Sequence, residues 1–411
     1  MKTASTVSKF LYVIMLYCVL FYPPIVFAGF RLYGYQIVRL VALVYIMSNL
    51  SGFKRFCVKF SKEMQIILLV ILYSLLRFAI GGETEMTLRN VIGLFTLIIL
   101  PFFFIDYGRR IGIYSIDGLS KYLLYATTIG VVISITCFLV PSVNIFFRET
   151  VIQYGKLGYK ESLDQRGFGW GLYMNSSYSF IIAMMIGIAM FYGKQLKWFA
   201  FVIPFAFIAC LINARTGVLI GALGMMSFLF FSGKRVYSIF VLIIGLLVYN
   251  NLYQIIEFIG GANDLTYTWL MEGYQESLDY ASGNFQYGTL GILSRHIIFP
   301  DNFGGWLFGE GFSLFNANKF NRHSDIGYIN QLFYGGLIYC VILYYFVVHI
   351  CSRLVKYGHK GISLFIFLTF LIVNFKGDFV FNTPELGLSI MLYYIIIMYG
   401  RKQVPHKSGI V

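Results

Sequence analysis

The sequence predicts an all-α integral membrane protein with about twelve transmembrane helices, and three observations support this fold class. Of the 411 residues, 58% are hydrophobic and 12% are charged, about half the charged fraction of an ordinary soluble domain. Apolar runs of roughly 20 residues, long enough to cross a bilayer as a helix, recur along the whole chain. Basic residues collect in alternate connections between these runs. Together these properties exclude a soluble enzyme, a disordered chain and a disulfide-rich secreted domain.

Helices are the expected form of every span, because a segment in lipid must satisfy its own backbone hydrogen bonds. Residues 1–411 are therefore expected to form a single polytopic membrane domain. The first span contains Pro23 and Pro24 but no small-x-small cleavage site, which favours a retained helix over a cleaved signal peptide. The spans are predicted at about residues 10–30, 34–50, 64–80, 91–105, 122–140, 173–192, 196–212, 216–232, 236–253, 326–350, 362–375 and 383–399.

Charge is distributed unequally between the two sides of the predicted membrane domain. One side receives most of the lysine and arginine and, as acidic residues, only Glu63, Asp106 and Asp117. Because basic connections stay in the cytoplasm, both termini are predicted to be cytoplasmic, in a multi-pass protein of the cytoplasmic (inner) membrane. The net charge of +14 is then a topology signal, and no nucleic-acid partner is expected.

Two long segments, about residues 142–172 and 254–325, fall on the opposite, outer side. Connections of this length usually carry function. The second segment is predicted to be a large, partly helical loop that carries the active-site residues. The six cysteines and five histidines are dispersed along the chain without ligand spacing, so we expect no disulfide, no metal site and no other cofactor.

Arginines are frequent at the outer ends of the predicted spans. A guanidinium group binds phosphate and pyrophosphate oxygens through two parallel hydrogen bonds, which suits an anionic lipid carrier. An arginine at a helix end is also an ordinary interfacial anchor, and the sequence leaves both interpretations open. The arginines concerned are Arg31, Arg39, Arg77, Arg89, Arg148, Arg166, Arg215, Arg295 and Arg322.

The first outer motif is the turn 213–217, Asn-Ala-Arg-Thr-Gly, between two apolar helices. The turn is so short that Arg215 must stay close to the membrane surface. The next helix opens with threonine and glycine, and backbone N–H groups at a helix start can bind an anion. Arg215 is therefore a candidate for contact with a phosphate group.

The second outer motif is the segment 164–171, Asp-Gln-Arg-Gly-Phe-Gly-Trp-Gly, which continues towards Asn175. Glycines stand at alternate positions after Arg166, with aromatic residues between them. Because glycine has no Cβ, a ligand can approach its backbone closely. Arg166, Gly167, Gly169 and Asn175 are accordingly predicted to contact substrate.

The third outer motif is spread over the last part of the large loop. It consists of the pair 295–296 (Arg-His), the run 308–312 (Phe-Gly-Glu-Gly-Phe) and the run 322–325 (Arg-His-Ser-Asp) directly before an apolar helix. Histidine and carboxylate side chains can move a proton during catalysis. His323 and Asp325 are the candidates here, although a polar residue at a helix start is an ordinary alternative for His323.

Carboxylates and aromatic rings alternate in the first part of the large loop. Carboxylates accept hydrogen bonds from sugar hydroxyls, and aromatic faces pack on pyranose rings. An amphipathic helix at the membrane interface would contain the same residue types, so a glycan site and an interfacial helix both remain open. The residues are Asp264, Tyr267, Trp269, Glu272, Tyr274, Glu276, Asp279, Tyr280 and Tyr287.

In the order of these motifs the chain resembles the Wzy-type O-antigen and capsule polysaccharide polymerases, a family that also resembles the O-antigen ligases. The similarity rests on about twelve helices, the outer Arg-Thr-Gly turn, the long late loop, the Arg-then-Gly-x-Gly-Phe run and the His-Ser-Asp-x-Gly-Tyr entry to the helix containing Gly335 and Gly336. The architecture is similar over most of the chain, and the motifs match between about residues 164 and 336. Gly335 falls about one residue later than the ligase pattern requires, which weighs against a ligase.

The resemblance implies a membrane glycosyltransferase with a GT-C-like fold. It implies a polymerase that joins undecaprenyl-pyrophosphate-linked repeat units, as both donor and acceptor, during the biosynthesis of O-antigen lipopolysaccharide, capsule or exopolysaccharide. No nucleotide sugar and no metal would be needed. A flippase and a chain-length regulator of the same pathway are the protein partners that it implies.

Such a transfer needs groups that stabilise the charge developing on the leaving pyrophosphate. Arg215 and Arg295 are the candidates, supported by Arg166. His323 is the candidate general base, because a histidine side chain is partly neutral near neutral pH; Asp325 would orient it or act as the base itself. The candidate substrate-binding residues are Arg39, Arg77, Arg166, Gly167, Gly169, Asn175, Glu310 and Arg322.

Two functions of other classes compete with this interpretation. A lipid-linked oligosaccharide flippase or transporter would also have about twelve helices, but transporters tend to show internal repeats and charges at mid-membrane depth, which the sequence lacks. A structural or sensory membrane protein would not require so many outer arginines.

Overall fold

A computed structural model of the chain describes most of the predicted membrane domain, and helices account for 84% of it. The described residues are 6–27, 30–152, 167–171, 177–191, 196–231, 264–283, 294–314, 323–377 and 384–400, together with 243, 251, 253–254, 256–257 and 291. The predicted all-α character is thereby confirmed.

The described ranges contain fifteen helices and one small antiparallel sheet. The helices are α1 (Thr6–Phe21), α2 (Gly34–Ser48), α3 (Leu50–Lys59), α4 (Ser61–Ala79), α5 (Thr84–Arg110), α6 (Ile116–Leu139), α7 (Pro141–Ile152), α8 (Ser177–Phe191), α9 (Leu196–Asn213), α10 (Arg215–Phe231), α11 (Asp264–Ala281), α12 (Phe303–Phe308), α13 (Gly327–Lys356), α14 (Lys360–Lys376) and α15 (Pro384–Gly400). The strands are β1 (Pro24–Phe27) and β2 (Phe30–Tyr33).

Three of these helices, α5, α6 and α13, are long and apolar enough to cross a membrane. A fourth span is added if α2 and α3, which meet at an angle of 99°, count as one broken span. The remaining apolar helices, such as α8 and α10, are shorter. Most of the predicted ninth span, 236–253, lies outside the described residues. The total of twelve spans therefore stays a prediction.

The first predicted span is wrong in its second half. Helix α1 ends at Phe21, Tyr22 has a positive φ of 54°, and the chain then forms the hairpin of β1 and β2, with Pro24 paired to Tyr33. Two consecutive prolines cannot continue a helix, because each lacks a backbone N–H and its ring clashes with the preceding turn. The apolar residues Pro24–Phe27 thus belong to a strand of a hairpin and do not continue the helix.

Helix α8 forms the centre of the bundle, where nearly all its described side chains are buried. It packs against α6, α9, α10 and α14. Small residues permit the closest of these approaches, since a Cβ placed on Gly224 of α10 would lie 2.6 Å from the Cα of Gly187. Such small-residue contacts are the usual means of packing helices where lipid surrounds them.

The outward faces of α2, α4 and α13 are apolar and exposed. An exposed side of this composition on several helices is expected where lipid, rather than water, is the surrounding solvent. The exposed residues include Leu40, Val44, Met47, Leu68, Leu72, Leu76 and Val341.

Helices α4 and α13 run antiparallel, and a buried ion cluster joins one end of the pair. The Oε1 atom of Glu63 accepts hydrogen bonds from Nε2 of His349 at 3.1 Å, from Nη1 of Arg353 at 3.0 Å and from the hydroxyl of Tyr394. Burial raises the pKa of Glu63, but the Tyr394 hydroxyl, a backbone N–H, His349 and the charge of Arg353 outweigh it and hold the pKa below its usual value. This cluster (Glu63, His349, Arg353, Tyr394) anchors the end of α13 that lies away from His323.

Candidate active site

The other end of α13 carries an acid–base cluster of His296, His323 and Asp325. The Oδ1 atom of Asp325 lies 3.0 Å from Nε2 of His323, and its Oδ2 lies 3.6 Å from Nδ1 of His296. The two imidazole rings meet edge to face, with centroids 5.4 Å apart. The side chains of His323 and Asp325 are 49% and 42% exposed, so a substrate can reach both.

Hydrogen bonds from side chains to backbone carbonyls hold the acid–base cluster in place. Between His323 and Asp325, Ser324 is fully buried, and its hydroxyl donates to the carbonyl of His296 at 2.8 Å. The side-chain amide of Asn330, one turn into α13, donates to the carbonyl of Ser324 at 2.8 Å. A fixed frame of this kind is what a general base needs to keep its orientation.

The frame continues from Asn330 to the start of α5. The hydroxyl of Ser313 donates to Oδ1 of Asn330 at 2.8 Å, and the backbone N–H of Ser313 donates to Oε2 of Glu83 at 3.1 Å. The N–H of Glu83 in turn donates to the carbonyl of Gly311 at 2.6 Å. Glu83, which was not among the predicted site residues, thus supports the loop around the predicted site.

Arg77, predicted to bind substrate, is buried at the end of α4 and 8% exposed. Its Nη2 donates to the carbonyl of Gly309 at 3.2 Å and would lie 2.8 Å from a Cβ on Gly311. The guanidinium therefore holds the loop 309–311, which contains the candidate Glu310. In the structure this arginine acts on backbone, while any contact with substrate stays a prediction.

Helix α13 is broken at Gly336, where φ is 68° and ψ is −171°. In a continuous helix the carbonyl of Phe333 would accept a hydrogen bond from the N–H of Leu337. The break at Gly336 separates these two groups. The N–H groups of Glu310 and Gly311 donate to this carbonyl instead, at 2.6 and 3.1 Å. These two hydrogen bonds attach the loop that carries Glu310 to the broken helix. The side chain of Glu310 is half-buried.

Arg215 belongs to a second group of residues. As the first residue of α10, it lies with its Cζ 4.8 Å from the ring centroid of Trp269 and its Nη1 4.0 Å from Oε2 of Glu276. A Cβ on Gly273 would lie 1.5 Å from the same Nη1, so the guanidinium rests directly on the backbone of α11. We call these four residues the Arg215 cluster.

Helix α11 forms part of the predicted large loop. Trp269, Gly273 and Glu276 share one face, because they are spaced by four and three residues. Trp269 and Leu270 are buried in an apolar group with Phe168, while Leu265 is 54% exposed. The helix presents Trp269 and Glu276 to Arg215, and both interpretations of this segment, a glycan site and an interfacial helix, stay predictions.

The second motif lies against the turn that carries Arg215. Asn213 is fully buried; its Oδ1 accepts from the N–H of Phe168 at 2.8 Å, and its Nδ2 donates to the Phe168 carbonyl at 3.1 Å. The two motifs, far apart in sequence, are therefore brought together. Gly169 faces the ring of Tyr178, since a Cβ would lie 2.9 Å from that ring, so its space is filled by protein.

The other predicted site residues are distributed as follows. Arg295 is exposed and precedes His296 of the acid–base cluster. Gly167 is buried with a positive φ of 129°. Arg39 lies on α2 with its Cζ 4.5 Å from the ring centroid of Tyr35. Lying outside the described residues are Arg166, Asn175 and Arg322.

His296 is the residue that sequence reasoning passed over. Its neighbour Arg295 is distinguished in the sequence by its charge, whereas the contact of His296 with Asp325 joins residues that are distant in sequence. The available signal in the sequence was that the runs 295–296 and 322–325, on either side of the run 308–312, each contain a histidine. Among the residues that the structure describes, no group of three or more histidine, cysteine or acidic side chains is placed to hold a metal ion.

No protein-family model matches the chain. No curated protein is significantly similar to it. The resemblance described above therefore depends on the order of the motifs, and the geometry of the site has to carry the functional argument.

Proposed function

We propose that the protein is a polysaccharide polymerase that joins undecaprenyl-pyrophosphate-linked oligosaccharide repeat units at the outer face of the cytoplasmic membrane. The observation that carries the proposal is the 3.0 Å contact between His323 and Asp325, at the start of α13 and at the end of the large loop. A histidine oriented by a carboxylate is the usual arrangement of a general base. The twelve spans, the GT-C-like fold and cytoplasmic termini belong to the same proposal.

The contact determines which nitrogen of His323 can accept a proton. A carboxylate only accepts hydrogen bonds, so Nε2 must carry a hydrogen in this contact, and the lone pair of the neutral ring is on Nδ1. Nδ1 takes the proton of the acceptor hydroxyl while its oxygen forms the new bond to the anomeric carbon of the donor. The bond from that carbon to the pyrophosphate oxygen breaks, and the lipid pyrophosphate leaves with the electron pair.

Positive charge near the leaving group supports the same reaction. Arg295 is exposed beside His296, where it can meet a pyrophosphate brought to the acid–base cluster. Nη1 of Arg215 faces Glu276 and the backbone of α11, but 29% of the side chain is exposed, and this exposed part is the one proposed to meet an anionic ligand. Donors aimed at developing charge in a site with little water are among the most effective contributions to catalysis.

An O-antigen ligase, which transfers the finished glycan to a lipid acceptor, is the alternative within the same chemistry. It would use the same base and the same arginines, and the late position of Gly335 favours the polymerase. A flippase for lipid-linked oligosaccharides is the alternative of another class. The acid–base cluster favours an enzyme, because the proton relays of transporters lie within membrane spans, whereas His323 and Asp325 precede the first residue of α13.

The reaction itself separates these functions. The full-length protein in nanodiscs is given purified undecaprenyl-pyrophosphate-linked repeat units without nucleotide or ion gradient, and the glycans are resolved by length. A ladder of repeat units on the lipid carrier is expected. Products of one repeat length would contradict the polymerase. Transfer of preformed polymer onto a lipid acceptor would instead establish a ligase, and movement of unchanged units across a vesicle membrane would establish a flippase.

A further inference from the structure

The end of the bundle away from the acid–base cluster contains a cavity of about 460 Å³. It lies between α3, the last turns of α5 and the last turn of α15. Three basic side chains, Arg55, Lys59 and Arg109, line it, with Tyr399 beside them. A cavity of this size is within the range that holds a small ligand or a lipid headgroup.

Two of the three basic side chains of this cavity lie against one aromatic ring. Nζ of Lys59 lies 3.3 Å from the ring centroid of Tyr399, and Cζ of Arg109 lies 4.3 Å from it. The ring face attracts both cations, but it carries no net charge. The two positive charges therefore also attract an anion that enters the cavity.

The acidic residue of the cavity lining is already engaged elsewhere. Oδ2 of Asp106 accepts hydrogen bonds from the hydroxyl of Tyr45 at 2.6 Å and from Nδ2 of Asn49 at 2.9 Å. The same oxygen lies 3.4 Å from Nη2 of Arg110, which is not a lining residue. Asp106 therefore fixes the bend between α2 and α3, and its single negative charge among three cations leaves the lining with a net positive charge.

Helix α3 indicates where the anion comes from. It leaves α2 at 99° and carries basic residues together with apolar side chains that remain exposed, Leu50 by 64% and Val58 by 69%. A short helix of this kind lies in the interface of a membrane, with its apolar side chains among the lipids. The charge distribution of the chain predicts that this interface is the cytoplasmic one.

We propose that the cavity binds a phosphate group, supplied by the headgroup of an anionic lipid in the cytoplasmic leaflet. The guanidinium groups of Arg55 and Arg109 and the ammonium group of Lys59 line this cavity, and α3 would place it at headgroup depth. Anionic lipids are concentrated near such basic surfaces. This site is separate from the proposed polymerase site and does not depend on it.

The test compares two double variants that remove the same charge. The full-length protein is placed in nanodiscs of phosphatidylcholine, with or without phosphatidic acid, and its thermal unfolding is measured against lipid content. Wild type should be stabilised by phosphatidic acid. Arg55→Gln/Arg109→Gln should bind it at least about tenfold more weakly, since each charge-assisted hydrogen bond is worth about a factor of ten or more. Lys54→Gln/Lys62→Gln, at exposed positions outside the lining, should retain the stabilisation.

A second arm distinguishes the sources of phosphate. Inorganic pyrophosphate is added to the protein in pure phosphatidylcholine nanodiscs; a weak effect is expected, and protection equal to that of phosphatidic acid would overturn the lipid as the source. Equal losses in both double variants would overturn the site, because general attraction to charge would explain them. Absence of any stabilisation of wild type would also overturn it. If the double variant does not fold, Arg55→Gln alone, at an exposed position, is compared with Lys54→Gln under the same criteria.

Discussion

The backbone of Gly309 packs directly against the backbone of Gly336. A Cβ on Gly309 would lie 2.6 Å from the nitrogen of Gly336, and a Cβ on Gly336 would lie 2.5 Å from the nitrogen of Gly309. Both residues have positive φ angles, 77° and 68°. This contact places the loop with Glu310 inside the break of α13, and it explains physically why glycines occur in two motifs that are distant in sequence.

Gly336→Ala should therefore destabilise the protein strongly. A positive φ costs an ordinary residue about 1–2 kcal/mol, and the clash with the Gly309 backbone adds to it. Gly358→Ala is the matched control, because Gly358 also has a positive φ, of 85°, but a Cβ there meets nothing within 4 Å. Thermal unfolding in detergent should show a larger loss for Gly336→Ala. Equal losses would mean that the Gly309 contact contributes nothing.

Arg215 and Arg295 should be required for polymer formation. Arg215→Ala and Arg295→Ala should lower the rate about a hundred- to a thousandfold without loss of protein, as removal of a donor to developing charge does. Arg→Lys should restore part of the rate at most, because an ammonium cannot form the two-pronged contact. The measurement is the ladder assay on purified protein; full polymer from both alanine variants would refute the role.

Gly273→Ala tests the position of Arg215 without removing its charge. The new methyl group would occupy the place of the guanidinium, 1.5 Å from Nη1, and should force it away from Trp269. We expect a loss of rate in the same direction as that of Arg215→Lys. Gln275→Ala, at an exposed position on the same helix, should have little effect. An unchanged rate for Gly273→Ala would show that the position of the Arg215 guanidinium on α11 does not matter for catalysis.

His323 should act through proton transfer. His323→Ala should lower turnover about a hundredfold or more, and His323→Gln, which cannot take the proton, should be equally poor. His359→Gln, at the start of α14 at the opposite end of α13, serves as the histidine control and should be active. If His323→Gln makes polymer at the wild-type rate, the base has to be Asp325 or Glu310.

The ion cluster at Glu63 should give stability that depends on pH. Its pKa is lowered in the folded state, so its contribution is complete at neutral pH and is lost as the pH falls below the ordinary value of 4.5. Glu63→Gln should reduce stability at neutral pH, by less than the roughly 3–5 kcal/mol of a fully buried pair, because Arg353 is 31% exposed. It should also flatten the acid limb of the stability curve. Glu85→Gln, which breaks an exposed pair with Arg89, should change neither; equal effects would contradict the argument.

The two ends of the bundle should lie on opposite sides of the membrane. Reporter fusions at Lys360 and near Gly283, an exposed position at the end of α11, are expected to report the cytoplasm and the outer side, respectively. A cytoplasmic signal from Gly283 would remove the basis for a site that receives outward-facing glycans.

Local properties of the sequence were sufficient to predict the all-α character of the protein. Apolar length and charge decide where a helix forms and which loops it connects, because both act within one segment and its immediate solvent. The prediction failed at Pro23 and Pro24, where backbone chemistry outweighed apolar composition and made a hairpin. Residue type and motif alone indicated Arg215, His323 and Asp325 as site residues. Their catalytic roles stay predictions.

Contacts between distant segments were decided by the tertiary structure alone. The approach of His296 to Asp325, the burial of Arg77 on the Gly309 carbonyl and the joining of Asn213 to Phe168 each depend on how helices pack, and packing depends on the shapes of many side chains at once. The convergence of Arg55 and Arg109 on one cavity follows from the 99° bend at Asn49, which Asp106 stabilises from another helix. No single segment contains that information, because each partner is supplied by a different part of the chain.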